Sequence, residues 1–387
     1  MKPIQRTLLA CLGFAAIAAA PIQDPPTGDS AARSMQDAFA RIAGELAPCV
    51  VSIAAYAADA PGDDHPEIDE ARWLVPVTDD RYPGHHRINA CSGFCIDAKT
   101  GILVTSRSPL LKPDGTFAEV LDVETSDKLH SLAVVVGAEP TLDLAFLRIV
   151  VPVDGREPRI KTVTWGDPAS MKPGYWAFGI GDPFGIERFM ATGVLSATPS
   201  RDCYQEKLSA SYLQTAMSMH PEAFGGPLVD LDGRVIGLLA PREGSRTIGP
   251  PRGDLQFALP STIIRGIAPS IIEQGSTRSP WIGFAVMSRG ELRALLGPRE
   301  LSKLTRPPSG IFIENVFAPS PAHRAGIRPG DFLTRFDGHP VNTPIEFQKW
   351  FYLAGIGSNV ELEIFRDGET ITTRADIEVR PTEAVTN

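Results

Sequence analysis

The chain has 387 residues, 43% of them hydrophobic and 21% charged, which is ordinary for a globular protein and predicts two domains after any targeting segment. Its 35 Gly and 35 Pro residues predict many turns and short strands rather than long helices. The formal net charge is −9 at pH 7, and no run of Lys and Arg is interleaved with aromatic residues, so the composition disfavours nucleic-acid binding.

The N-terminus has the layout of a secretory signal peptide. Two basic residues precede an apolar run over 8–20, whose end carries small residues suited to cleavage. An uncleaved membrane anchor and a lipoprotein site at Cys11 are the alternatives. The run is short for a spanning helix, however, and it continues past the cysteine. We therefore predict a signal peptide at 1–20 and export to the periplasm or another extracytoplasmic space.

Four cysteines would remain after export: Cys49, Cys91, Cys95 and Cys203. An oxidising compartment would permit disulfides, and four cysteines allow three pairings. Cys91 and Cys95 stand four residues apart on a predicted strand, which is too far along it for them to bond each other. None has metal-like spacing with nearby histidines, so we predict no metal and no cofactor. Buried free thiols are the expected state.

Residues 21–48 are predicted to form a flexible lead and then a helix over 31–46, which Pro48 ends. A short buried strand follows at 50–53. Residues 55–88 are predicted to be a long polar loop. Its Asp and His residues lack the fixed spacing of a metal site, so we favour a solvated loop.

Between residues 91 and 260, short apolar runs alternate with turn residues, as is typical of antiparallel strands. The motifs in chain order are Ser-Gly-Phe at 92–94, Ile-Leu-Val-Thr at 102–105, Asp-Leu-Ala-Phe-Leu at 143–147, Gly-Asp-Pro-Phe-Gly at 181–185, Thr-Gly-Val-Leu-Ser at 192–196, Gly-Gly-Pro-Leu at 225–228 and Gln-Phe-Ala-Leu-Pro at 256–260. Together they resemble the trypsin-like protease domain of the HtrA (Deg) family. The resemblance implies a mainly β domain over 49–262 with the chymotrypsin/trypsin-like double six-stranded β-barrel.

The resemblance places the family's catalytic histidine, aspartate and serine on Ser108, Asp143 and Phe224. In the family a Gly-Asn-Ser precedes Gly-Gly-Pro-Leu, whereas here those positions are Glu222, Ala223 and Phe224. Phenylalanine offers no lone pair, and a serine hydroxyl cannot act as a base near pH 7. Glu222 would not take a positive φ cheaply, and its carboxylate would repel a developing oxyanion. The sequence thus predicts a degenerate triad beside an altered oxyanion loop.

Another set of residues could in principle replace the triad. Ser218 and His220 precede Phe224, and Ser106 neighbours Ser108. A nucleophile must face a base within hydrogen-bond reach, and we favour His220 as a plain turn residue. A buried carboxylate without a partner costs several kcal/mol. We therefore hypothesise that Ser108 donates a hydrogen bond to Asp143.

A second domain follows a helix and linker at 263–280. Its motifs are Ser-Pro-Ala at 320–322, Ala-Gly at 325–326 and Pro-Gly-Asp at 329–331. They resemble a PDZ domain over 281–382, a β-sandwich with helices, present in one copy.

The resemblance implies that a peptide C-terminus adds as a strand beside the segment that Trp281 opens. The backbone amides of Ile282, Gly283 and Phe284 would hold the peptide carboxylate. A PDZ domain used only for packing against the first domain is the alternative.

These observations predict an exported HtrA-like protein that binds peptide C-termini or unfolded proteins without cutting them. It has the fold of a serine endopeptidase, but we predict it to be inactive. A homotrimer or a mixed assembly with HtrA homologues would be consistent with the family. Two alternatives are an active endopeptidase with an unorthodox site and a non-catalytic subunit that modulates active homologues.

Overall fold

A computed structural model describes residues 30–59, 79–153, 155–182, 188–200, 212–240, 255–274, 280–296, 298–302 and 304–381. The predicted signal peptide, Cys11 and Cys203 lie outside these residues. Within the described residues, no helix combines the length and the apolar character needed to cross a bilayer.

The first barrel is closed, with strand order β1-β2-β3-β6-β5-β4. Its strands are β1 (Val50–Ala58), β2 (His85–Asp97), β3 (Ile102–Ser106), β4 (Val120–Glu124), β5 (His130–Glu139) and β6 (Leu144–Pro152). A core of Val, Ile, Leu and Cys side chains fills its interior, including Ile53, Leu103 and Leu147. Ser108 and Asp143 lie in turns of this barrel, Ser108 after β3 and Asp143 before β6.

The predicted loop at 55–88 is wrong at both ends. Strand β1 continues to Ala58, and β2 begins at His85 and pairs with it. Ala55 and Tyr56 are buried, so these residues belong to a barrel strand and not to the predicted loop. A strand in a barrel is specified by its neighbours' pairing as well as by its own apolar run.

The second barrel is closed as well, with strand order β10-β11-β12-β9-β8-β7. Its strands are β7 (Trp176–Gly181), β8 (Phe189–Ser200), β9 (Tyr212–Ala216), β10 (Pro227–Val229), β11 (Val235–Ala240) and β12 (Leu255–Pro260). The mainly β fold with two six-stranded barrels is thus confirmed. The loop that carries Phe224 joins β9 to β10, at the side of this barrel that meets β2.

Two helices flank the barrels, α1 (Ser30–Leu46) and α2 (Ser261–Gln274). In α1, the Phe39 ring packs on Trp176 and Phe178, with ring centroids 5.5 and 4.8 Å apart. Phe39 therefore packs α1 against the second barrel of its own domain.

The C-terminal domain is a twisted sheet of order β14-β15-β16-β18-β19 with α6 packed against it. Its elements are β13 (Pro280–Trp281), β14 (Phe284–Met287), α3 (Arg289–Leu295), α4 (Pro298–Leu301), β15 (Ile311–Val316), α5 (Pro321–Arg324), β16 (Phe332–Phe336), β17 (His339–Pro340), α6 (Pro344–Ala354), β18 (Asn359–Arg366), β19 (Glu369–Asp376) and β20 (Glu378–Val379). Helix α6 begins with a capping box between Thr343 and Glu346, which satisfies amides that the first turn leaves unbonded.

Helix α6 also contacts the protease-like domain. Tyr352 is buried against Gly266 of α2, where an added Cβ would lie 2.8 Å from the tyrosine Cβ. The Lys349 ammonium pairs with the Asp167 carboxylate at 2.5 Å. The two domains are therefore packed together through this helix.

Candidate functional site

The positions that match the family's histidine and aspartate are in direct contact. Ser108 opens a 3-10 turn after β3, and its Oγ donates a hydrogen bond to Asp143 Oδ2 at 2.9 Å. The Ser108 backbone N–H donates to Asp143 Oδ1 at 2.7 Å. Both carboxylate oxygens thus have a donor from one serine. The hypothesised Ser108–Asp143 hydrogen bond is confirmed.

The backbone of Asp143 adds to this contact. Its φ is +52°, which a short polar side chain adopts more readily than most others. Its carbonyl accepts the N–H of Arg107 at 2.9 Å. Asp143 therefore ties the start of β6 to the end of β3 through three hydrogen bonds, whether or not any histidine is present.

The loop before β10 forms a single 3-10 turn over Pro221–Ala223. His220 caps it, because its Nδ1 accepts the N–H of Glu222 at 3.2 Å. The Phe224 N–H donates to the Pro221 carbonyl at 3.1 Å. His220 is thus a turn residue that caps this loop through its Nδ1.

These two amides matter because of their place in a trypsin-like loop. There the oxyanion is bound by the N–H of the nucleophile and the N–H two residues before it. The corresponding groups here are the N–H of Phe224 and of Glu222, and both donate to atoms of their own loop. Both amide hydrogens are therefore engaged within the loop, whereas an oxyanion hole needs donors directed at the reacting oxygen.

Ser92 of β2 anchors the loop to the first barrel. Its Oγ donates to the Glu222 carbonyl at 2.9 Å, and its N–H donates to the Phe224 carbonyl at 3.0 Å. Gly225 follows with φ of +85°, and an added Cβ there would lie 2.2 Å from the Ser92 carbonyl oxygen. The strand motif at 92–94 contains Ser92, but the sequence gives no signal for this contact, because Glu222 lies 130 residues away.

The Phe224 side chain packs on the second barrel's interior together with Met219. The cluster that they cover includes Leu213, Met217 and Leu228. The Phe224 side chain is half-buried rather than fully enclosed. The residue at the position of the family's nucleophile therefore has an apolar side chain that packs against core residues.

Other nucleophiles near this cleft are poorly placed. The Ser106 hydroxyl is buried and has no hydrogen-bond partner within the described residues, so no base lies in reach of it. The Cys91 thiol contacts Thr105 Oγ1 at 3.3 Å, and burial raises its pKa to about 12. A buried neutral thiol is a poor nucleophile, because the thiolate is the reactive form.

The PDZ loop at 281–284 has a different character. The Ile282 carbonyl accepts the Ala322 N–H, and the Gly283 carbonyl accepts the Phe317 N–H, both at 2.9 Å. Ser320 Oγ also donates to the Gly283 carbonyl, at 3.3 Å. Over the part of the chain that is described, the N–H groups of Ile282 and Gly283 donate to no protein atom. The loop's carbonyls are thus engaged while two amide donors remain available.

The strand after this loop lies at an edge of its sheet. Strand β14 pairs with β15 on one side and is the terminal strand of the order. The Phe284 ring lies 5.4 Å from that of Phe347 in α6, so this edge strand packs against the helix through aromatic side chains. The sequence predicted Phe284 at this place but did not single out Phe347, whose contact with β14 depends on how α6 packs.

Comparison with known proteins agrees with this architecture. Residues 91–238 match the trypsin-like peptidase domain family, and residues 280–377 match the PDZ domain family. Similar solved structures include the HtrA-type protease AlgW with a decapeptide, at 24% identity and a TM-score of 0.55, with 89% of this chain and 99% of that chain covered. That likeness shows the fold.

Curated relatives extend over both domains. A probable periplasmic serine endoprotease DegP-like of Halomonas elongata is 30% identical over 72% of this chain and 54% of its own length. Another from Marinomonas sp. is 29% identical over 75% of this chain and 57% of its own length. The serine protease Do-like HtrA of Bacillus subtilis is 27% identical over 67% of this chain and 58% of its own length.

The chain therefore spans just over half the length of these curated relatives. Its own matches are a trypsin-like peptidase domain followed by one PDZ domain, which is the combination that the motif order predicts. With these relatives and this double-barrel fold, the chain belongs to the HtrA family.

Proposed function

We propose that this protein is an exported, peptide-binding member of the HtrA family that does not cut its ligands. The observation that carries the proposal is the contact between Ser108 and Asp143, with Phe224 at the nucleophile position. A serine hydroxyl that donates to the carboxylate occupies the place where an imidazole would have to lie. The site then lacks a base as well as a nucleophile.

The oxyanion loop supports the same conclusion. The Glu222 and Phe224 amides are engaged within the loop, so transition-state stabilisation is missing in this conformation. Without nucleophile and base, the oxyanion hole and substrate binding could supply only about 10³–10⁴-fold acceleration over water. With the hole itself occupied, cleavage falls below that level.

Peptide binding requires none of the lost side chains. An extended peptide could pair with the edge of β14, and its carboxylate could accept from the Ile282 and Gly283 amides. The aromatic side chains of Phe284 and Phe347 beside this edge would contact apolar side chains of the peptide. The ligands would be peptide C-termini or unfolded segments that expose them. The protein would meet them outside the cytoplasm, since its curated relatives are described as periplasmic.

The proteolysis test compares the wild-type full chain with Asp143→Ala on fluorescently labelled casein. We expect both proteins to release no label above the buffer level over hours. Cleavage by the wild type that disappears in Asp143→Ala would overturn the proposal. Phe224→Ser gives a third arm, in which we expect no cleavage because Ser108 still cannot act as a base.

The binding test titrates the full chain with a library of peptides that have free C-termini. We expect a subset to bind, and amidation of the same peptides should weaken them at least about tenfold because the carboxylate is lost. Equal binding of free and amidated peptides would contradict a role for the 281–284 loop.

A further inference from the structure

Three arginine side chains cluster where the edge strand β14 ends. Arg289 is the first residue of α3, which follows β14 after a single residue. Arg293 stands four residues later in the same helix, and residues at this spacing are neighbours on a helix surface. The Arg289 guanidinium donates to the Pro308 carbonyl at 2.6 Å and to the Pro307 carbonyl at 2.9 Å. Because Arg306 directly precedes these prolines, the three positive charges lie at one place.

Little negative charge opposes these arginines. Arg293 and Arg306 are exposed, and within the described residues none of the three forms an ion pair with an acidic side chain. The acidic residue of α3, Glu291, instead accepts the Ser288 N–H at 2.6 Å. Partial burial lowers the pKa of Arg289, and the positive charges of Arg306 and Arg293 lower it further, yet a guanidinium stays protonated at neutral pH. The start of α3 thus carries an excess of positive charge.

The surrounding sequence shows that this positive charge is local. Residues 284–306 carry five basic and two acidic side chains, whereas the whole chain has a net charge of −9. The acidic residue Glu314 belongs to β15, which pairs with β14 on the side away from the open edge. A local field opposite in sign to the rest of the molecule attracts ligands of one charge. Here it favours negatively charged ligands.

The arginines lie on the path of a peptide bound to β14. A peptide whose carboxylate is held at 282–283 would run antiparallel to β14, since its C-terminus lies at the start of that strand. Its last residue would lie beside Phe284, and each earlier residue about 3.4 Å further along. Strand β14 has four residues, so the fourth peptide residue from the C-terminus would lie beside Met287. Peptide residues about five to seven from the C-terminus would then pass the start of α3.

We propose that this PDZ domain selects peptides with a free C-terminus and with Asp or Glu side chains about five to seven residues from it. The amides of the 281–284 loop would bind the terminal carboxylate, and the field of Arg289, Arg293 and Arg306 would attract the upstream acidic side chains. This selectivity rests on the proposed peptide-binding function, and it names the class of peptide that the same site takes.

The preference should be moderate and sensitive to salt. Each exposed charge pair contributes little in water, so the effect comes from several acidic side chains near three arginines. The Debye length falls from about 10 Å at 0.1 M salt to about 3 Å at 1 M, which screens such charges strongly. The terminal carboxylate meets backbone donors directly, so its contribution should depend less on salt.

The test uses the full chain and fluorescein-labelled decapeptides. All peptides share the last four residues of the tightest ligand from the peptide library, and they differ only at the fifth to seventh positions from the C-terminus. Asp-Glu-Asp at these positions is compared with the uncharged Asn-Gln-Asn. At about 0.05 M NaCl we expect the acidic peptide to bind at least about fivefold more tightly, and at about 1 M NaCl less than about twofold more tightly.

Two double variants assign the preference. Arg293→Ala combined with Arg306→Ala should bring the two affinities within about twofold of each other, while binding of the uncharged peptide stays unchanged. Arg289 is kept, because its bonds to two carbonyls support the fold. Arg335→Ala combined with Arg374→Ala is the matched control, which removes two exposed arginines from β16 and β19 and so changes the net charge equally. We expect this control to retain the preference.

Equal affinity of the wild type for the acidic and the uncharged peptide would overturn the proposal, and so would a preference that survives in the Arg293 and Arg306 variant. Amidated peptides separate this result from a failure of the proposed function. If amidation abolishes binding but the acidic side chains have no effect, the 281–284 loop binds carboxylates and only the charge preference is wrong. If no peptide binds, or if amidation has no effect, the proposed function and the charge preference are both overturned.

Discussion

The loops at 220–226 and 281–284 have similar backbone features but use their amide groups differently. Each contains a glycine in the left-handed region, Gly225 at φ +85° and Gly283 at φ +88°. Each is fixed to the rest of its domain through carbonyls that accept hydrogen bonds. In the first loop, however, the amides of Glu222 and Phe224 are used inside the loop, whereas those of Ile282 and Gly283 are not.

The difference shows what a fold can keep after its chemistry is lost. Proteolysis needs particular side chains, and three substitutions at 108, 222 and 224 remove them while the glycine and its anchor remain. Peptide capture needs available backbone donors beside a sheet edge, and these depend on the fold alone. The loop at 220–226 now contributes to the stability of the fold, and we expect the loop at 281–284 to bind peptides.

The largest effect should come from Gly225→Ala, which tests the first loop as a structural element. The new methyl group would lie 2.2 Å from the Ser92 carbonyl oxygen at a positive φ. We expect the free energy of unfolding to fall by about 3–5 kcal/mol in a guanidinium titration. Gly174→Ala is the matched control, since its φ is +89° with no atom within 4 Å, and it should cost only about 1–2 kcal/mol. Equal losses would show that the loop is not tightly held.

Gly283→Ala tests the second loop as a binding element. Its Cβ would lie 2.1 Å from the Ser320 Cβ, so the loop must shift and carry its amides with it. We expect peptide affinity to fall at least about 100-fold, which is roughly 2.7 kcal/mol. Gly326→Ala in the same domain, at φ +75° with open space around it, should leave affinity nearly unchanged. Undiminished binding by Gly283→Ala would remove the loop from the site.

Asp143→Ala separates a structural carboxylate from a catalytic one. It deprives the Ser108 N–H and hydroxyl of their acceptors at 2.7 and 2.9 Å. We expect the free energy of unfolding to drop by about 2 kcal/mol, because donors in a partly buried site lose their bonds. Ser108→Ala removes only the hydroxyl bond and should cost about 1 kcal/mol. A variant as stable as the wild type would show that the carboxylate no longer supports the fold.

The smallest effect concerns the polar network of the first barrel, which is separate from both loops. His130 Nδ1 lies 2.9 Å from Asp122 Oδ2, and Arg81 approaches the same carboxylate at 3.4 Å. Burial lowers the pKa of His130, but the hydrogen bond and negative charge of Asp122, with a further contribution from Glu124, raise it overall against the positive charge of Arg81.

A histidine whose folded pKa is raised stabilises the fold when it is protonated. Its contribution is therefore complete below the unfolded pKa, near 6.5, and is lost as pH rises through the folded pKa. We expect the free energy of unfolding to decline by less than about 1 kcal/mol over that window. His130→Gln should remove this pH dependence, and an identical slope in the variant would exclude His130 as its source.

The order of the domains and the identity of the lost side chains can be predicted from the amino-acid sequence alone. Motifs such as Asp-Leu-Ala-Phe-Leu at 143–147 and Pro-Gly-Asp at 329–331 are local, so they can be recognised without knowing what they touch. The helix over 31–46 and the strand over 311–316 follow from apolar spacing in the same way. The loss of a nucleophile at Phe224 requires only the alignment of a short loop.

The contacts that replace the lost chemistry form only in the folded chain. Ser108 and Asp143 are 35 residues apart, and Ser92 is 130 residues from Glu222, so their hydrogen bonds exist only when both barrels close. The packing of Phe224 on the interior of the second barrel depends on closure in the same way. Periodicity reports which face of an element is buried, but a contact between distant residues is set by the register and packing of every strand between them.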